Sequence, residues 1–127
     1  LLETDILDIF NACIDGKLDQ TDIRWNDMFA VNIVLASGGY PGNYEKGKVI
    51  AGVSDAETMP DIVIFHAGTK MMGSELVTNG GRVLGISAVG KTLKEALEKA
   101  YAAAEKISFD GMQYRRDIGK KALEMLK

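Results

Sequence analysis

The segment TLKEALEKAYAAAEKI, residues 92–107, reads as a helix with one face that must be covered, and this limits the fold more than any other feature. Leu93, Ala96, Leu97, Ala100, Ala104 and Ile107 recur at helical spacing, while Glu95 and Lys99 sit one turn apart on the outer face. Its start is well marked. The Thr92 hydroxyl can accept from a free backbone N–H, and Glu95, three residues on, can reach back in a capping box. Such a helix needs a partner surface, and the chain supplies strands. Within IRWNDMFAVNIVLAS, bulky Phe29, Val31, Ile33 and Leu35 alternate with smaller Ala30, Asn32, Val34 and Ala36, which predicts a strand with one apolar face. DIVIFH, residues 61–66, follows Pro60 and is apolar on both faces, so it reads as a central strand. ELVTNGGRVLGISAVG holds two β-rich runs around Asn79, Gly80 and Gly81, a spacing that predicts a tight hairpin and hence an antiparallel sheet.

Two further helices complete the expectation. Residues 1–15 place Leu2, Ile6, Ile9, Phe10 and Cys13 on one face, which should dock and bury Cys13, and Gly16 can close the helix. Near the other end, Asp117 can cap a helix that buries Ile118, Ala122, Met125 and Leu126. The predicted class is α+β: one mixed or mostly antiparallel sheet with about three packed helices, forming a single domain over 1–127.

Charge and composition exclude several roles. A formal net charge of -3 argues against a nonspecific grip on nucleic acid, which needs a field of Lys and Arg. No apolar run approaches the roughly 20 residues that span a bilayer, so no membrane partner is expected. The single cysteine fits a reducing cytoplasm. The chain opens on LLETDILDIF without Met and without the basic start of a signal peptide, and reads as a piece of a longer protein.

Three stretches invite chemistry. GGYPGNYEKGK, residues 38–48, has Gly42, Gly47 and Lys48 at Walker spacing, but Val49 stands where Ser or Thr is required, and the β-like KVIAGV replaces the expected helix. The loop reads either as a wide glycine turn with Tyr40 covering the core edge, or as a substrate-facing wall carrying Tyr40, Tyr44 and two lysines. His66 in FHAGT is the only histidine; it serves either as a structural hydrogen-bonding residue or in chemistry, and no second histidine, paired cysteine or DxD spacing offers a metal cage. In YRRDIG, Arg115 and Arg116 precede a helix whose positive end suits an anion. The alternative is that the arginines are solvated or paired with neighbouring carboxylates. Arg82 is a weaker candidate of the same kind.

LASGGYPGNYEKGKVI, FHAGT, LVTNGGRVLGISAVGKTLKEALEKAY and FDGMQYRRDIG closely resemble, in order, the carboxyl-terminal domain of phosphoribosylamine–glycine ligase, also called glycinamide ribonucleotide synthetase. The resemblance covers nearly the whole chain. It implies an ATP-grasp enzyme of purine synthesis that joins glycine to 5-phosphoribosylamine through glycyl phosphate, using ATP with Mg or Mn. The family's magnesium-binding RFGDPE motif lies just upstream of the residues matching Leu1 and Leu2, so the amino-terminal and ATP-grasp domains are expected as partners outside this chain. No cofactor is expected in these residues, and the isolated piece is expected to be inactive. In related ATP-grasp enzymes of purine synthesis, an Arg-Arg-x-x-Gly segment contacts the sugar phosphate or nearby phosphates, which implies a substrate role for Arg115, Arg116 and Gly119. Tyr40, Tyr44, His66, Thr69 and Arg82 follow as second-rank lining of the acceptor side. A competing reading is a non-catalytic module that binds a small anion.

Overall fold

The structure, a computed structural model, describes residues 1–126. Its main sheet has three antiparallel strands: β1 (Phe29–Ala36), β2 (Ile62–His66) and β5 (Arg82–Gly90), in the order β1-β5-β2. A second sheet pairs β3 (Thr69–Met72) with β4 (Glu75–Thr78), also antiparallel. The helices are α1 (Ile6–Ile14), α2 (Val53–Glu57), α3 (Leu93–Lys106) and α4 (Lys120–Met125). The fold is therefore α+β with antiparallel pairing, as the periodicities predict.

Register explains the core. Ile33 and Ile64 both pair with Ile86, and Leu35 pairs with Leu84, so the bulky side chains of three strands share one face. Ile33, Leu35, Leu84 and Ile86 are fully buried, each stabilising the fold by about 1.5–3 kcal/mol through burial. The covering element is α3, whose buried residues are Ala96, Leu97, Ala100, Ala103 and Ala104. Four alanines in that stripe let the helix backbone approach the sheet closely.

The start of α3 is capped as expected, with one shift in register. The Glu95 N–H donates to Thr92 Oγ1 at 3.1 Å, while the Glu95 carboxylate accepts from the N–H of Lys91 rather than that of Thr92. Lys99 then ties the helix to the sheet. Its Nζ donates to Glu95 and Asp61, both at 2.7 Å, and to the Val89 carbonyl at 3.3 Å. Asp61 has φ 63, a left-handed conformation that a non-glycine residue seldom adopts, and Lys99 anchors it where β2 begins.

Several local expectations are overturned. The central strand is β5, not β2: β2 lies at an edge, and Val63 and Phe65 on its outer face are 53% and 57% exposed. Apolar residues on both faces of that strand thus mark an uncovered face rather than a central position. Nor do the runs around Asn79-Gly80-Gly81 pair with each other. The hairpin lies one strand earlier, where Gly73 (φ 64) turns between Met72 and Glu75. Thr78 on β4 is committed elsewhere: its hydroxyl accepts from the Lys48 N–H and its carbonyl from the Gly47 N–H. Asn79–Gly81 instead carries the chain between sheets, and here the Gly68 and Gly80 backbones touch while the Asn79 N–H donates to the Gly68 carbonyl at 2.7 Å.

The terminal helices also depart from expectation. α1 forms, with Asp5 accepting from the Leu7 N–H and Gly16 closing it at φ 67, yet no residue of it is buried and Ile14 is 82% exposed. Cys13 is exposed, so it is not a core residue. Residues 1–28 form a hook closed by the Leu2–Trp25 bridge and by the Asn26 N–H donating to the Leu1 carbonyl. Leu2, Ile9 and Ile23 are half-buried within it, whereas Leu7, Phe10, Ile14 and Trp25 are exposed. At α4 the cap is Gly119 (φ 78), because the Asp117 carboxylate is bound to Arg115. Ile118 and Leu123 pack against the core, whereas Ala122, Met125 and Leu126 are exposed. No helix among the described residues is long and apolar enough to cross a membrane.

Candidate substrate-facing site

The glycine loop leaves the end of β1 and is fastened from two sides. The Ser37 N–H donates to the Gly81 carbonyl at 2.8 Å, and the Ser37 hydroxyl to the Gly80 carbonyl at 2.9 Å. The Tyr40 ring lies against Gly81, where any Cβ would overlap it, and the Tyr44 ring stands edge-on with centroids 6.3 Å apart. On the other side, Gln113 pairs with Ala36 through its backbone, and its Nε2 donates to the Tyr40 and Ser37 carbonyls at 2.9 and 3.2 Å. Beyond the tyrosines the chain runs extended, with the Ile50 N–H donating to the Leu76 carbonyl of β4. That is not a phosphate loop leading into a helix. Lys48 is committed to Glu45 at 2.7 Å and Asp110 at 3.0 Å, and those hydrogen bonds hold its ammonium pKa above the ordinary 10.5.

Arg115 follows Gln113 by two residues and emerges beside Tyr40. Its Nε and Nη2 donate to the two oxygens of Asp117 at 2.9 and 2.8 Å, which raises the guanidinium pKa and lowers that of the carboxyl. The Nη1 side has no partner among the described residues and can offer hydrogen bonds to an anion. The Arg115 carbonyl accepts from the Tyr101 hydroxyl at 3.0 Å, and that hydroxyl accepts from the Ile118 N–H at 3.1 Å. Val34, Ala36, Tyr40, Gln113, Tyr114 and Arg115 line an open depression of about 390 Å³.

The sequence candidates thus fall into three groups. Tyr40 and Arg115 share this depression, Tyr44 backs Tyr40, and Arg82 opens β5 opposite Ala36. Arg116 turns the other way: its guanidinium carbon stands 5.0 Å from the Tyr114 ring centroid, and it lines a larger groove of about 720 Å³ between α3 and α4. Gly119 caps α4 beside Leu97. His66 Nδ1 and Thr69 Oγ1 lie 2.9 Å apart, and His66 lines a separate depression of about 490 Å³ with Asp55, Glu57 and Glu75. Sequence reasoning missed Gln113 and Tyr101, whose contacts join residues distant in the chain. The Asp117 fork was among its alternatives, since the carboxylate sits two residues from Arg115. Among the described residues, no group of three or more His, Cys, Asp or Glu side chains could hold a metal ion.

Known proteins resemble this chain closely. A family model described as "Phosphoribosylglycinamide synthetase, C domain" matches residues 30–121. A bifunctional purine biosynthetic protein purD of Dictyostelium discoideum is 50% identical over 100% of this chain and 16% of its own length. A phosphoribosylamine–glycine ligase of Synechocystis is 48% identical over 97% of the chain and 29% of its own length. The chain therefore spans less than a third of these relatives. The crystal structure of phosphoribosylamine–glycine ligase from Thermotoga maritima superposes with a TM-score of 0.66 at 40% identity, covering 85% of this chain and 27% of that one.

Proposed function

The chain belongs to the phosphoribosylglycinamide synthetase C-domain family, and on that premise we propose that it is the carboxyl-terminal domain of a phosphoribosylamine–glycine ligase of the cytoplasm. The observation that carries this reading is the family match over residues 30–121 together with 48% identity to a ligase across 97% of the chain. The parent enzyme joins glycine to 5-phosphoribosylamine, with ATP and Mg or Mn, and releases ADP and phosphate.

The residues of this chain do not fit the nucleotide and its metal. The glycine loop leads into an extended segment paired with β4, and among the described residues no group of three or more His, Cys, Asp or Glu side chains could hold a metal ion. The family resemblance assigns both to other domains of the parent. What this chain contributes is the acceptor side. Arg115 receives the sugar phosphate on its free guanidinium edge, because a phosphate dianion gains more from a planar fork of donors than from a lysine point charge. Tyr40, backed by Tyr44, walls the depression, orienting the acceptor amine and keeping water from the activated glycine. Arg116 and Gly119 are assigned here from the family pattern alone, since Arg116 lines the groove between α3 and α4 rather than the depression beside Tyr40. Arg82, His66 and Thr69 are second-rank candidates for the acceptor side, with His66 in a separate depression.

The test uses the full-length enzyme. Arg115→Ala should raise KM for phosphoribosylamine about tenfold or more, the cost of one lost charge-assisted hydrogen-bonded contact, while KM for ATP stays within about twofold. Equal losses for both substrates, or no loss, would remove Arg115 from the acceptor site.

A further inference from the structure

The turn that carries Arg115 is fixed more firmly than its exposure would lead one to expect. The Arg115 and Asp117 side chains are 71% and 59% exposed, and exposed ion pairs contribute little to folding. Yet four constraints converge here. Asp117 holds the side-on edge of the guanidinium with two hydrogen bonds, so the plane of the fork is set. Tyr101, on α3, clamps the backbone on both sides of Asp117: its hydroxyl donates to the Arg115 carbonyl and accepts from the Ile118 N–H. Downstream, Gly119 turns at φ 78 with Leu97 packed so closely that a Cβ would lie 2.7 Å from its Cδ1. Upstream, Gln113 is paired with Ala36 of β1. What these contacts determine is where the free edge of one guanidinium points.

Building on the reading that Arg115 receives the acceptor's phosphate, we propose that Tyr101 and Asp117 are positioning residues that hold its guanidinium in the geometry that anion requires. A long, exposed arginine otherwise loses rotamer freedom on binding, and a fork held in place beforehand loses less. Asp117 also offsets the charge of Arg115 itself. The pair therefore binds by directed hydrogen bonds rather than by unspecific attraction, which favours a phosphate that presents several acceptor oxygens over a monovalent anion.

The experiment measures binding of glycinamide ribonucleotide, the phosphate-bearing product, to the full-length enzyme by calorimetry, alongside KM values for ATP and glycine. Tyr101→Phe keeps the ring against Tyr114 and removes only the bridging hydroxyl; Asp117→Asn keeps the shape and removes the charge. Each should weaken ribonucleotide binding about five- to tenfold, with KM for ATP and glycine within twofold. In the background of Arg115→Ala, neither should weaken it further. The positioning role is overturned if Asp117→Asn tightens binding, if either change acts as strongly without Arg115, or if all substrates suffer alike. Should Arg115→Ala bind normally, the phosphate reading itself fails; should it bind weakly while Tyr101→Phe and Asp117→Asn bind normally, only the positioning role fails.

Discussion

The hook of residues 1–28 and the body that follows are both rich in large apolar side chains, yet they use them in opposite ways. In the body, Ile33, Ile64 and Ile86 meet across three strands beneath α3. In the hook, Leu7, Phe10, Ile14 and Trp25 remain exposed, and none of the 28 residues is buried. The helical spacing in α1 is as regular as that in α3. Amphipathic periodicity therefore specifies that a face is suited to burial, but not which surface covers it.

The sharpest way to break this comparison is to truncate one residue of each kind in the 127-residue chain and measure denaturant unfolding. Ile86→Ala, at the centre of the sheet, should cost about 2–5 kcal/mol through lost burial and the cavity left behind. A cost under 1 kcal/mol would show that the body's core is not where its stability resides. A smaller effect probes the body's rim. Glu95 has its carboxyl pKa held below 4.5, first by the Lys99 hydrogen bond and then by the Lys91 N–H. A depressed folded pKa gives stability that is present above the unfolded value and lost as pH falls through the folded one. Stability should accordingly decline from about pH 5 downward, and Glu95→Gln should flatten that decline. Taking the difference between variant and parent separates Glu95 from Asp117, which is depressed as well. An unchanged slope would dismiss Glu95 as a contributor. Smallest of all, Phe10→Ala in the hook should shift stability within about 0.5 kcal/mol, as at other exposed positions. A penalty near that of Ile86→Ala would mean that the hook is buried in solution and would erase the contrast.

What could be read from the sequence was local. Alternation in FAVNIVLA, the Thr92 cap and the alanine-lined stripe of α3 are set by neighbours within a turn or two, and the structure keeps all three. Pairing was not readable in the same way. Asn79-Gly80-Gly81 has the chemistry of a hairpin turn, but Thr78 is taken by Lys48 and the glycines by Gly68 and Ser37, partners far off in sequence. β2 and β5 are both apolar runs, and only their ladders show which is central. The candidate site divides along the same line. YRRDIG announced charge and a possible carboxylate partner, while Gln113 and Tyr101, which reach Tyr40 and Arg115 across 73 and 14 residues, left no spacing to find.

The contact between Gly68 and Gly80 bears on how the chain is closed. A Cβ on Gly80 would stand 3.1 Å from the Gly68 Cα, so two backbones cross there with no side chain between them. The crossing seals a loop of about a dozen residues, whereas pairing Leu35 with Leu84 encloses about fifty, and each doubling of loop length adds roughly 0.6 kcal/mol of closure entropy. The small sheet is thus the cheaper of the two to assemble. Once it is shut, Arg82 follows the crossing directly, and β5 enters the main sheet from an anchored end rather than from a free coil.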